Sequence, residues 1–244
     1  MAKGVYAALS GAVAAGVALD VTAQNLANAS TAGYQKLRPV FHEVMSRAGN
    51  QRDQQDKGNR FTAATGTVID LSPGVTRTTG RGLDVALPQG QFLAVSTDRG
   101  ERYTRAGNIT FDPAGSLTLA GQKLVDDSGN PIQIDVASAQ ELSISEDGQL
   151  LSGGETLARI KLVTFAEPRL LGPEGGTLFT STAASGPATP GGGTLRVGQL
   201  EESNASPVTA MTELMTTTRL FDAFQRAIET FRDADRKIVS LPNS

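Results

Sequence analysis

The sequence contains no cysteine and no tryptophan, a single histidine, and few aromatic residues of any kind. Without cysteine there is neither a disulfide framework nor a thiolate metal site. The lone histidine, His42, has no Gly-x-Ser-x-Gly elbow to serve, so a Ser–His–Asp relay has no sequence support. A scarcity of aromatics argues against a carbohydrate-stacking module. Formal net charge is only −3, and no clustered basic face marks a nucleic-acid partner. No run of 18 consecutive apolar residues occurs, so no transmembrane helix and no direct membrane insertion are expected.

What is present is a pair of heptad series at the two ends. Val5, Leu9, Ala12, Gly16, Leu19, Ala23 and Leu26 recur at alternating spacings of four and three, and so do Leu220, Phe224, Ala227, Phe231, Ala234 and Ile238. Each such seam needs a partner helix to cover it. Residues 5–28 are expected as one helix about 36 Å long. Gly4, Gly11 and Gly16 weaken it by about 1 kcal/mol each relative to alanine, while its small side chains let other helices approach closely. Two competing readings are an ordinary amphipathic surface helix and a secretory signal cleaved after Val21-Thr22-Ala23. The Ala/Gly-rich segment and a heptad running on to Leu26 count against the signal. The second helix is expected from Pro207, with Ser206 as N-cap, to about Val239, roughly 50 Å. Its early apolar stripe is Met211, Leu214, Met215, Thr218 and Phe221, and Arg226, Glu229, Arg232, Asp233, Arg236 and Lys237 face the other way.

Between the helices, 46–66 is polar and aperiodic and is expected as a loop, within a linker over 36–75. Strands are expected at Leu83–Leu87, Gln91–Ser96, Asn108–Phe111, Ser116–Leu119, Ile132–Val136, Leu142–Ser145, Ala158–Phe165 and Thr194–Leu200. Turns at Asp112–Gly115, Asp127–Asn130 and Asp147-Gly148 separate several of them. The fold class is therefore mainly β with terminal α: an antiparallel β barrel or sandwich over 76–200, plus a seam-bearing helix at each end, in 1–35 and 201–244, whose partner the spacing leaves open. Asp126–Asn130 lacks the ligand spacing of a calcium loop, and Gly191-Gly192-Gly193 opens no helix and precedes no Lys-Ser/Thr. No catalytic, cofactor or metal residue is assigned, and no enzyme activity is expected.

Three motifs carry a family resemblance. The first is Asn25-Leu26-Ala27-Asn28-Ala29-Ser30-Thr31-Ala32-Gly33-Tyr34-Gln35. The second is Tyr103-Thr104-Arg105-Ala106-Gly107-Asn108, preceded by Gly82-Leu83-Asp84-Val85. The third is Gly198-Gln199-Leu200-Glu201-Glu202-Ser203-Asn204-Ala205-Ser206-Pro207-Val208. Together, in this order, they resemble bacterial flagellar basal-body rod and hook proteins, and within that family most the proximal rod members, with the distal rod members as the alternative. The resemblance implies a structural subunit of a helical shaft that transmits torque, with the N- and C-terminal helices of 1–35 and 201–244 paired as an inner coiled coil and the β domain facing outward. Its partners would be other rod subunits, further copies of itself, and the flagellar type III export apparatus. It would lie in the periplasm, exported without a cleaved signal. The assembly interface would then use Val5, Leu9, Leu19, Leu26, Leu214, Phe221, Phe224, Ile228 and Phe231. Asn25, Asn28 and Gly33 would end the first helix, with Gly33 at positive φ. A periplasmic β-rich hydrolase is the reading from another class.

Overall fold

A computed structural model describes residues 2–46, 59–134 and 142–239. The chain is mainly β, with one helix at each end: α1, Ala2–Ala27, and α2, Pro207–Val239. It divides into two compact units. The first holds Met1–Leu26, Leu37–Thr67 and Val208–Ser244. The second holds Ala27–Lys36 and Val68–Pro207.

In the first unit α1 and α2 run antiparallel, and the glycines of α1 are where they meet. The Phe231 ring lies over Gly4, the Phe224 ring over Gly11 and the Phe221 ring beside Gly16. A β-carbon at Gly11 would fall 2.4 Å from Phe224, whereas one at Gly16 would stand 3.8 Å from Phe221. Ala8, Ala12 and Ala15 are buried on the same helix. A bulky ring needs a hollow, and a face built from glycine and alanine supplies one; this is the small-residue route to close helix packing.

That geometry relocates the seam expected on α1. Leu9 is 49% exposed and Ala23 is exposed, while Ala8, Ala15, Val21, Thr22 and Asn25 are buried. Val5, Leu19 and Leu26 are half-buried. The hollow face, not the leucine face, takes the rings. On α2 the inward positions are Ala210, Leu214, Thr217, Phe221, Phe224, Ile228 and Phe231, again spaced four and three. Met211, Met215, Thr218 and Leu220 point outward, contrary to expectation, and the side chain of Ile238 lies outside the described residues. The Thr-rich stretch remains helical. The Thr216 hydroxyl donates to the Thr212 carbonyl and the Thr218 hydroxyl to that of Leu214, each a local bond that the helix accommodates.

Part of the expected loop over 46–66 is strand. Leu37–Ser46 and Asn59–Ile69 form a two-stranded sheet, and 47–58 lie outside the described residues. Thr62, Thr65, Thr67, Val68 and Ile69 supply the β-branched residues, but polar composition hid them from a periodicity reading. The Gly4–Ala27 stretch is long and apolar enough to cross a membrane, although no 18 of its residues are consecutively apolar.

The second unit wraps several antiparallel sheets around one core of Val85, Leu93, Val95, Ile109, Leu117, Leu124, Ile144, Leu150, Ile160 and Leu195. Its largest sheet centres on Gln91–Thr97, which pairs with Gly100–Thr104, Gln122–Leu124 and Leu162–Thr164. That sheet is open, running from Gly172–Pro173 at one end to Thr110–Phe111 at the other. Several expected strands are shorter or divided. Ala158–Phe165 splits into Glu155–Arg159 and Leu162–Thr164, because Ile160 turns to bridge Asp126. The last segment breaks at Gly198, φ +70°, into Arg196–Val197 and Gln199–Glu201. Ile132 and Gln133 make only isolated hydrogen bonds and a bridge, and 135–136 lie outside the described residues. The Asx turn begins at Asp126, whose Oδ1 accepts from the amides of Ser128 and Asn130.

The glycine seats make opposite predictions for one substitution at two sites. Gly16→Ala meets only ordinary contact and should raise the thermal midpoint of helix unfolding, gaining up to about 1 kcal/mol of propensity. Gly11→Ala must displace Phe224 and should lower that midpoint, at about 1–3 kcal/mol of overpacking. Circular dichroism melts of the two variants decide it; a rise for both would contradict the seat.

Candidate functional site

Among the described residues of this chain, no cluster of His, Asp or Glu side chains could hold a metal ion. The chain's most determined polar arrangement is a clasp in the second unit, where the segment that has just left α1 meets the segment about to enter α2. The Glu201 backbone begins it. In strand Gln199–Glu201 this residue pairs with Thr76, and its carbonyl also accepts the Gly33 amide at 2.7 Å. Gly33 lies at φ +71°, and a β-carbon there would stand 2.3 Å from the Ala106 nitrogen. Only glycine satisfies both the conformation and the approach.

The Glu201 side chain is buried, 5% exposed, and faces an Arg105 guanidinium that is 4% exposed. One carboxylate oxygen pairs with Arg105; the other accepts from Gln35 Nε2 at 3.1 Å and from the Gly74 amide at 3.1 Å. Arg105 also donates to the carbonyls of Pro88, 3.0 Å, and Gln91, 2.8 Å, and lies 5.9 Å from the centre of the Phe92 ring. A buried ion pair is tolerable only when its remaining donors and lone pairs are met, and here they are. Asn204 extends the network. Its Oδ1 accepts the Lys36 amide at 2.6 Å, and its Nδ2 reaches the carbonyls of Asp70 and Ser72, both at 2.8 Å, and Gln35 Oε1 at 3.3 Å.

The residues singled out in the sequence have distinct tasks in the two units. Asn25 belongs to the first unit, where its amide mimics a strand partner. Nδ2 donates to the Leu37 carbonyl and Oδ1 accepts the Leu37 amide, both at 2.8 Å. Asn28 closes the turn after α1 by accepting the Thr31 amide. Tyr34 is buried, and its carbonyl accepts the Asn204 amide at 3.4 Å. Thr104 Oγ1 holds the Ala106 amide, Gly107 accepts the Val85 amide at 3.0 Å, and Asn108 bridges Asp84. A β-carbon on Gly107 would overlap the Val85 carbonyl oxygen. Tyr103 packs edge-on against Phe165, 4.8 Å between centres, and Ser203 Oγ accepts the Ala205 amide. Of the clasp residues, Gly74 lies outside the three motifs, and Gln35 and Glu201 stand within them without an assigned task. The signal for Glu201 was a charge directly after Leu200, with Arg105 set among small residues. His42 is exposed on strand Leu37–Ser46.

Two long terminal helices packed through glycine seats, and a β unit closed by a buried polar clasp, define a class of protein built on packing and clasping contacts. Comparison with known families then fixes which one. Residues 5–35 match the family "Flagella basal body rod protein", 89–152 "Flagellar hook protein FlgE/F/G D1 domain", and 196–241 "Flagellar basal body rod FlgEFG protein C-terminal". The chain is 35% identical to the flagellar basal-body rod protein FlgF of Escherichia coli over 87% of each chain. It is 30% identical to FlgG of Bacillus subtilis over 99% of each, and 28% identical to FlgF of Caulobacter vibrioides over 98% of this chain and 97% of that one. The chain belongs to the flagellar basal-body rod protein family.

Two outcomes follow from the clasp. Glu201→Ala strands a buried guanidinium and should cost about 3–5 kcal/mol in urea unfolding of the β unit. The double variant Arg105→Met/Glu201→Leu should recover much of that loss, and a single-variant loss below about 1 kcal/mol would contradict the assignment. Burial pushes the Tyr34 phenol up to about 12, and burial followed by the Glu101 charge does the same for Tyr103. Both phenols stay neutral in the fold while the unfolded chain ionises near 10. Stability should therefore be intact below about pH 10 and be lost as pH rises toward about 12. Phenolate absorbance of these two tyrosines, followed against circular dichroism, should rise with unfolding and not before it.

Proposed function

We propose that the chain is a structural subunit of the bacterial flagellar basal-body rod, with its place in the proximal rod, and that it does no chemistry. The observation that carries this reading is the Gly–Phe packing of α1 against α2. A long helix made of small residues is a poor structure alone, and becomes stable and stiff only when rings fill its hollows. In this reading 1–35 and 201–244 form the coiled-coil inner domain lining the shaft, 36–75 is the linker, and 76–200 is the outward β domain, a compact sandwich-like body. Val5, Leu9, Leu19 and Leu26 on α1, with Leu214, Phe221, Phe224, Ile228 and Phe231 on α2, supply the contacts within and between subunits. Neighbouring rod proteins and further copies of the chain are its partners. It reaches the periplasm through the flagellar type III exporter with no cleaved signal, and weakly helical termini suit such passage because they order fully only when covered. The absence of cysteine leaves nothing to mispair in an oxidising compartment.

A distal rod role is the second reading, and the 30% identity to a FlgG protein over nearly the whole of both chains favours it. Axial position and copy number in isolated rods separate the two.

An in-frame deletion should leave cells without rods, hooks, filaments or swimming, and the wild-type chain should restore all four. Normal basal bodies by electron microscopy in the deletion strain would sink the rod reading. Phe224→Asp should fail to restore rods while the β unit, followed by its own denaturation, keeps wild-type stability.

A further inference from the structure

Once α2 covers the glycine face of α1, the helix pair still offers two separate apolar surfaces. The first is a groove of about 390 Å³ between the helices. Its floor is small, Ala12 and Gly16, and its walls are Leu9, Val13, Phe221 and Ile228. Glu229 and Arg232 stand exposed at its α2 rim. The second surface is on the back of α2, where Val208, Met211 and Met215 are each more than half exposed. At 100° per residue these three fall on one face, with the exposed Arg219 and Asp222 continuing it, and that face points away from the Phe221–Phe224–Ile228 side.

The two surfaces fit each other. Residues 211, 215, 219 and 222 follow at spacings of four, four and three, and residues 221, 225, 229 and 232 along the groove repeat the same spacings. Superposing them brings Met211 to the level of Phe221 and Gly16, and Met215 to the level of Gln225 and Ala12. Arg219 then meets Glu229, and Asp222 meets Arg232, so both rim pairs are of opposite charge. Methionine is the apt knob for such a hole: long, unbranched and adaptable. Opposite charges at flanking positions are what set partner and register between helices.

We propose that this groove receives the back of α2 from a second copy of the chain, parallel to the host α2 and staggered by ten residues, about 15 Å along the axis. The contact is heterologous, one face of each copy against a different face of the next. It therefore propagates along an open series instead of closing a two-fold dimer. It rests on the rod-subunit reading, which requires such propagation, and adds the faces, the direction and the stagger.

The cysteine-free chain allows a direct test. Arg219→Cys and Glu229→Cys are placed together in the full-length chain, expressed in the deletion strain, and basal bodies are isolated and mildly oxidised. Within one helix these positions lie about 15 Å apart, beyond the reach of a disulfide, so any 219–229 bond joins two copies. A ladder of linked multimers from the double variant, with no species beyond a dimer from either single variant, is the expected result. Basal bodies that contain the chain but give no ladder would overturn the stagger and leave the rod reading intact. Basal bodies lacking the wild-type chain would overturn both. Charge reversal supplies an independent readout. Glu229→Arg should shrink the swimming halo severalfold and Arg219→Glu/Glu229→Arg should restore it. Failure of the double reversal, with both proteins as stable as wild type, would overturn the proposed pair.

Discussion

The buried pair of Arg105 and Glu201 is the interaction on which the second unit's architecture turns. A charge pair taken out of water contributes little net stability and is strongly unfavourable when incomplete. Its effect here is selective. The Glu201 carboxylate is satisfied only when Arg105, Gln35 and the Gly74 amide all arrive, and the Arg105 fork only when the carbonyls of Pro88 and Gln91 are in place. Four stretches of chain, far apart in sequence, are thereby fixed together or not at all. Gly33 and Gly107 permit the backbone approaches this demands, and Asn204 ties in the segment around Asp70 and Ser72. The outcome is one geometry, within the second unit, for the segments that follow the first helix and precede the second.

The first unit is held by opposite means. It has little bulk to bury along α1, and its packing comes from shape: rings on one helix, hollows on the other. Glycines that weaken an isolated helix become the elements that define its pairing, because the propensity lost at Gly11 is returned as contact with Phe224. A helix that depends on such contact suits the export and assembly proposed above. Polar specificity thus holds the second unit and steric specificity the first.

Much of this was legible in the sequence. The bounds of α2 follow from Pro207 and the apolar periodicity, and the positive φ of Gly33 from its place after the first helix. The three motifs pointed to the residues that surround the clasp. On α1 the heptad series shares Ala12 and Gly16 with the observed contact but also includes the exposed Leu9 and Ala23, because a heptad weighs leucine and valine whereas this interface is organised by the residues with least side chain. Leu220 entered the α2 series for the same reason, although Thr217 fills the inward position next to it. Strand Asn59–Ile69 escaped notice because its composition is polar, and hydrophobic alternation was the signal sought. The role of Glu201 could not be read from spacing, since its partners lie at positions 35, 74 and 105 and only the fold brings them together.

Amide hydrogen exchange, residue by residue, tests the central claim most directly. The amides of Gly33 and Gly74 donate to Glu201, and that of Lys36 to Asn204. In the wild-type chain they should exchange slowly and with one common opening free energy, and in Arg105→Met all three should lose protection together. Independent exchange at three different rates, or protection unchanged by loss of the guanidinium, would contradict a single clasp and leave only local hydrogen bonds in its place.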